Sequence, residues 1–253
     1  MPDLIEPRRS RRIGHKGADH IAPGNTAASF DAALAHGCDM VEFDVLDERE
    51  ADGVTRTGRL VLAHDLKDAR RPGVLTLEEG LDHLAGQAFA GIELDVDLKT
   101  HGYEQRVVDA LREHDLIERS LISSNWMRSL VVLRELEPKL RLGYSVPRLR
   151  KDPTQMWLTK LPAYAGAAWM RARLPAAIKV HMAAGRCDAL MCHWRLVSPR
   201  LVKAVSEAGG ELYVWTVDDG RRIGRLEKLG VTGVITNDPR LFGQLPSAHV
   251  AAE

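Results

Sequence analysis

Short runs of alternating apolar and polar residues take turns with longer stretches of helical periodicity along the whole chain. Met40–Leu46 and Ile92–Leu98 alternate strictly. Val41, Phe43 and Val45 share one parity against Glu42 and Asp44, and Ile92, Leu94, Val96 and Leu98 share one against Glu93, Asp95, Asp97 and Lys99. Residues two apart on a strand point to the same side, so each run predicts a strand with one greasy and one charged face. Further strands are predicted at Arg12–Gly14, Ser120–Ser123, Arg141–Val146, Ala189–Cys192, Glu211–Val217 and Gly233–Thr236. Eight strands, each followed by a helical pattern or the chain end, read as an α/β chain folded into a single (β/α)8 TIM barrel. The barrel is expected over residues 12–245, between a flexible basic leader (1–11) and a tail (246–253). Leu60–Ala63 is then an extra strand. The turn signals Asp52–Gly53 and Thr57–Gly58 predict that it folds back as a hairpin onto the second strand.

Helix punctuation supports this frame. Asn25 or Thr26 can cap the first helix and Gly37 can end it, with Ala27, Phe30, Ala33 and Leu34 as its apolar stripe. Thr76 and Glu79 form a capping box for Thr76–Leu84. Gly102–His114, Ser129–Glu137, Ser198–Gly209 and Asp218–Leu229 follow as helices. The least regular part, Pro147–Met182, carries Trp157, Trp169 and several methionines among basic residues. It reads as outer-ring helices punctuated by Pro153, Pro162 and Pro175, or as a lid or membrane-surface helix pair near the barrel mouth.

Composition narrows the function classes. Lys plus Arg and Asp plus Glu balance at 35 each, so no global charge points to nucleic acid. The cluster Arg8, Arg9, Arg11 and Arg12 reads as a solvated leader. The chain has no signal-peptide pattern and no apolar run long enough to span a bilayer, so a cytoplasmic protein is expected, with at most a transient membrane-surface contact. Cys38, Cys187 and Cys192 include no CxxC pair and read as small core residues.

The chemistry concentrates early, in GHKG (Gly14–Gly17), PGNT (Pro23–Thr26), VEFDV (Val41–Val45) and LVLAHD (Leu60–Asp65). In a barrel the charged faces of the strands at Met40–Leu46 and Ile92–Leu98 point inward. Buried acids need partners or a metal. Glu42, Asp44 and Asp97 should meet at the carboxyl ends of the strands, where such barrels keep their active sites. Three carboxylates without a thiolate favour a hard divalent cation, Mg²⁺ or Ca²⁺. Lys16 and Lys99 beside it make a site for an anion such as phosphate. His15 and His64 can move protons near neutral pH. Glu93 and Asp95, deeper in the barrel, are expected to pair with basic residues.

These motifs, with GCDMVEFDV, DLK (Asp97–Lys99), YVWTVD (Tyr213–Asp218) and GVITNDP (Gly233–Pro239), resemble those of the glycerophosphodiester phosphodiesterases in the same order, from about Arg12 to Phe242. The resemblance implies a TIM barrel that hydrolyses a small glycerophosphodiester to an alcohol and glycerol 3-phosphate with a divalent cation. It also implies that His15 and His64 are the acid/base pair, that Glu42, Asp44 and Asp97 are metal ligands, and that Lys16, Lys99 and Trp215 contact the substrate. Four departures from the family pattern stand out. Lys16 replaces an arginine, Gly24 a glutamate and Asp97 a glutamate, while the segment His64–Thr76 is short, which implies an open mouth. The DLK motif is also similar to the sphingomyelinase D-like enzymes, which act on phospholipid head groups. A non-catalytic phosphate- or lipid-binding barrel is the alternative from another class.

Overall fold

A computed structural model describes residues 9–148 and 160–244. In chain order the strands are β1 (Arg11–Gly14), β2 (Met40–Arg49), β3 (Arg56–Leu62), β4 (Glu93–Leu98), β5 (Ser120–Ser124), β6 (Arg141–Val146), β7 (Ala189–His193), β8 (Glu211–Trp215) and β9 (Gly233–Thr236). All but β3 pair in parallel around a closed ring of eight, completed where β1 meets both β9 and β2. The helices α1 (Ala27–Ala35), α2 (Leu77–Leu84), α3 (Glu104–Glu113), α4 (Met127–Leu136), α5 (Lys160–Ala183), α6 (Pro199–Glu207) and α7 (Gly220–Leu229) connect the strands. This is the expected TIM barrel.

The alternation read in β2 and β4 sorts residues as expected. Val41, Phe43, Val45, Leu94, Val96 and Leu98 are buried in the layer between ring and helices, where Phe30 of α1 meets Phe43 with ring centroids 5.8 Å apart. A second apolar group, Ile13, Met40, Leu121, Ala189, Met191, Tyr213 and Ile235, fills the barrel. Beneath it the first residues of four alternate strands, Arg11, Glu93, Arg141 and Glu211, form one charged layer. Arg11 reaches Glu93 at 3.1 Å and Glu211 at 2.9 Å and also bonds the Tyr213 hydroxyl, and Arg141 meets Glu93 at 2.5 Å. Glu93 thus finds the basic partners expected of it. Asp95 has none among the described residues: it bonds Ser123, and its Oδ1 is left without a partner there.

Several boundaries differ from expectation. β2 runs three residues further, to Arg49, because it outgrows the ring and pairs antiparallel with β3 (Val45 with Leu62, Arg49 with Arg56). The extra strand is longer than Leu60–Ala63. Asp52–Gly53 lies at the hairpin tip, whereas Thr57–Gly58 falls inside β3 beside a register shift and is no turn. The described part of Pro147–Met182 forms one long helix, α5, and not a helix pair. Pro175 sits inside α5 without ending it, and Pro162 is in its first turn, where a missing N–H costs nothing; Pro153 and Trp157 lie outside the described residues. Arg9 is exposed, as expected, and forks onto Asp39 at 2.7 and 2.8 Å, whereas Arg11 is not part of a solvated leader but opens β1. The three cysteines are free and buried. No helix among the described residues is long and apolar enough to cross a membrane.

Candidate active site

Parallel pairing of β2 with β4 places Glu42 beside Asp95 and Asp44 beside Asp97. Oxygen atoms of Glu42, Asp44 and Asp97 all lie within 4.8 Å of one another, so these residues converge. Lys99, two residues beyond Asp97, folds back between the acids. Its ammonium contacts Asp44 Oδ1 and lies 2.5 Å from Asp97 Oδ2. Burial pushes the Glu42 carboxyl up, and the nearby charge of Asp44 adds to this, to about 8. Asp44 moves the other way: burial alone would raise it, but Lys99, His64 and His15 together hold it below the usual carboxylate range.

Asn25 fixes Asp44. Its side-chain nitrogen donates to Asp44 Oδ2 (2.9 Å), and its oxygen accepts the Asp44 backbone N–H (3.1 Å). Asn25 sits at φ 61°, a conformation asparagine tolerates better than most residues, so Thr26 and not Asn25 caps α1. The GHKG turn then brings β1 chemistry to the same place. Lys16 donates its backbone N–H to Glu42 Oε2 at 2.8 Å. Gly17 has φ 83°, and a Cβ there would lie 2.5 Å from the Ser29 backbone, so only glycine lets the turn press against α1.

His15 is held by a relay. Asp218 accepts the Asn237 side-chain N–H (2.7 Å) and backbone N–H (2.8 Å). The Asn237 oxygen therefore faces His15 Nδ1, at 2.6 Å. A carbonyl oxygen can only accept, so Nδ1 carries the proton and Nε2 is left with its lone pair, 3.8 Å from Glu42 Oε2. Burial lowers the His15 pKa, with Asp44 opposing. His64 follows β3 and stands exposed. Its pKa is lowered by desolvation and then by Lys99, with Asp44 opposing. Asp65 accepts the N–H groups of Lys67 and Asp68, both at 2.9 Å, so its role is in the turn.

The remaining expected residues sit around the rim. The Lys16 ammonium lies 3.6 Å from Asp19. Asp19 also takes the Gly24 N–H at 2.9 Å, and its Oδ1 is 2.6 Å from where a Cβ on residue 24 would stand. Asp19 thus fills the space beside Gly24 with a carboxylate of its own. A cavity of about 190 Å³ opens there, walled by Lys16, Asp19, Asp68 and Arg71. Trp215 ends β8 edge-on to His193 (centroids 5.3 Å), its Nε1 buried and, among the described residues, without an acceptor. Three positioning residues, Asn25, Asp218 and Asn237, were not singled out from the sequence. All three lie within the PGNT, WTVD and GVITNDP motifs, which were the available signal.

The family model for the glycerophosphoryl diester phosphodiesterases matches residues 15–73 and 66–241. A glycerophosphodiester phosphodiesterase of Caldanaerobacter subterraneus subsp. tengcongensis is 26% identical over 261 residues, covering 90% of this chain and 93% of the relative. One from Bacillus subtilis is 25% identical over 284 residues, covering 98% and 90%. Among solved structures, a glycerophosphodiester phosphodiesterase from Galdieria sulphuraria, described as putative, superposes with a TM-score of 0.70 at 18% identity, covering 93% of this chain and 97% of that one. An Oleispira antarctica phosphodiesterase in complex with the product sn-glycerol-3-phosphate gives 0.65 at 22% identity, covering 93% and 96%.

Proposed function

This chain belongs to the glycerophosphoryl diester phosphodiesterase family, and from that premise we propose how its own residues cleave a glycerophosphodiester to an alcohol and glycerol 3-phosphate. The observation that carries the reading is the convergence of Glu42, Asp44 and Asp97 oxygens within 4.8 Å, with His15 Nε2 3.8 Å from Glu42 and His64 close enough to bear on Asp44. Three buried or half-buried carboxylates face one ammonium, Lys99, which leaves net negative charge when all are ionised. An all-oxygen donor set of this kind suits Mg²⁺ or Ca²⁺. A cation held by Glu42, Asp44 and Asp97 would supply Lewis-acid stabilisation of charge on the phosphoryl oxygens.

The protein's own groups do the rest. Lys99 and Lys16 add positive charge where the phosphate must sit. His15 Nε2, unprotonated in the tautomer fixed by Asn237, takes the proton of the nucleophile, which is either water or the neighbouring glycerol hydroxyl. His64 returns a proton to the leaving alcohol oxygen. Its exposure keeps it in exchange with solvent, and the negative phosphate favours its protonated form. The ring of Trp215, at the end of β8, offers a face for the organic part of the substrate.

The test is release of glycerol 3-phosphate from glycerophosphocholine by the purified chain, with and without a chelator. The expected result is turnover that stops on chelation and returns with Mg²⁺ or Ca²⁺. Turnover undiminished in excess chelator would remove the cation from the reading. Cleavage of lysophospholipid or sphingomyelin with the soluble diester spared would replace the substrate. Phosphorus NMR of the products separates the nucleophiles, because attack by the glycerol hydroxyl yields a cyclic phosphate first.

A further inference from the structure

Away from the acids, a groove of about 640 Å³ lies between α5, the turn after β7 and α7. Its walls carry Arg171, Arg195, Arg222 and Arg225. Its apolar lining comes from Val197, Leu226 and Leu229, with Leu229 38% exposed. Trp194 stands in the groove with its ring already flanked: the Arg222 guanidinium is 3.8 Å from the ring centroid and that of Arg195 is 4.4 Å. Both helices are one-sided in charge. α5 has no Asp or Glu in 24 residues, and α7 has four basic residues against Glu227, which bonds Ser10 at 2.7 Å. Because the whole chain is neutral, this face is a local basic field on a balanced protein. Among the described residues, Arg171, Arg222 and Arg225 have no carboxylate partner. Beside the groove Trp169 projects from α5, 62% exposed, with the Arg173 guanidinium 5.5 Å from its ring.

We propose that this arginine-walled groove and the adjoining Trp169 dock the protein on an anionic phospholipid surface. The occupant must combine negative charge with apolar bulk, because the walls are cationic and the lining is aliphatic. A nucleic acid fits less well, since the lining between the arginines is aliphatic and Trp194 is already packed against Arg222, Arg195 and His193. A lipid head group satisfies the arginines, the upper part of its chains meets Leu226 and Leu229, and Trp169 sits where indoles prefer to lie, at the boundary of a bilayer. An aromatic ridge links the groove to the mouth: Trp194 stacks on His193 (5.5 Å), and His193 meets Trp215 edge-on (5.3 Å). A docked molecule would hold its active site close to the lipid surface. The inference does not depend on the reaction assigned to the acids.

The experiment is co-sedimentation of the full chain with vesicles of phosphatidylcholine alone and of phosphatidylcholine mixed with phosphatidylglycerol. Partitioning is expected to be about tenfold or more stronger on the mixed vesicles and to weaken with salt. The Arg171→Glu/Arg225→Glu variant should lose this preference while Lys139→Glu, outside the groove, keeps it. Turnover of soluble glycerophosphocholine should not change in either. Trp169→Ala should weaken binding without abolishing selectivity for the charged vesicles. Should the double variant fail to fold by circular dichroism, Arg225→Gln alone makes the same comparison. Equal binding to both vesicle types, or binding unmoved by the groove variants, overturns the proposal. So does a dimer in light scattering that the groove variants dissociate, or a single-stranded RNA that competes vesicles off through the same arginines.

Discussion

Both ends of the barrel are built from inward-facing acids, with β4 contributing to each, yet they are finished differently. At the amino-terminal end Glu93 and Glu211 meet Arg11 and Arg141, so that two negative charges face two positive ones through contacts of 2.5–3.1 Å. At the carboxyl-terminal end Glu42, Asp44 and Asp97 share Lys99. Arginine offers a planar fork that saturates a carboxylate, whereas lysine is a point charge that leaves oxygens open. The closed end is a structural plug. The open end sets three carboxylates against one lysine, and the proposed cation site rests on that asymmetry. β4 carries both designs within six residues, from Glu93 to Asp97.

Substitution at the open end should therefore cost activity. His15→Ala is expected to lower kcat by roughly 10²–10⁴, as removal of a general acid–base group does, with thermal stability nearly unchanged. Steady-state kinetics with a matched unfolding curve checks this, and an active His15→Ala enzyme would break the assignment. The next effect should come one step out. Asn237→Ala frees the His15 ring to choose the other tautomer, so kcat should fall by roughly 10–100-fold, the usual reach of an orienting partner. Asn237→Asp, which keeps an acceptor oxygen facing Nδ1, should lose less.

The closed end should behave in the opposite way. Arg141→Met leaves Glu93 with half its partners. It should cost about 1–3 kcal/mol of stability by denaturant unfolding with kcat unchanged, the figure being reduced because the pair is partly solvated. A loss of activity there would erase the distinction between the ends. A smaller effect sharpens it. Because Glu42 is protonated below about 8, a cation must displace a proton to bind. Cation affinity should then weaken as pH falls from about 8 towards 6, and the rise in Tm on adding Mg²⁺ or Ca²⁺ should be larger at the higher pH. A Tm increment that grows as pH falls would contradict the role of Glu42.

Much of this contrast is legible in the sequence because strand parity is legible. Glu42 and Asp44 lie two residues apart among Val41, Phe43 and Val45, and that spacing alone assigns them to one side of a strand. Their convergence with Asp97 then follows from barrel register. Partner identity was not legible. Nothing local says that Arg11, which looked like part of a basic leader, and Arg141 would close on Glu93, 82 and 48 residues away in sequence respectively. Asn237 and Asp218 were out of reach for the same reason: Asn237 acts through a contact with His15, 222 residues away in sequence, and Asp218 acts only through its bonds to Asn237. Strand ends were misplaced where tertiary pairing decides them, as in the extension of β2 to meet β3. The prolines of α5 misled because Pro162 sits in the first turn, where no N–H bond is needed, and Pro175 is carried inside α5 at the cost of one backbone bond.

Glu42, Asp44 and Asp97 at the open end are proposed to bind a divalent cation. Isothermal titration of Mg²⁺ and of Ca²⁺ into chelator-stripped protein, beside Asp97→Asn and Arg141→Met, tests it most directly. The expected result is one saturable site in the native chain and in Arg141→Met, lost or greatly weakened in Asp97→Asn. Absence of a cation-binding isotherm in a folded native chain that still hydrolyses glycerophosphocholine in excess chelator would contradict it.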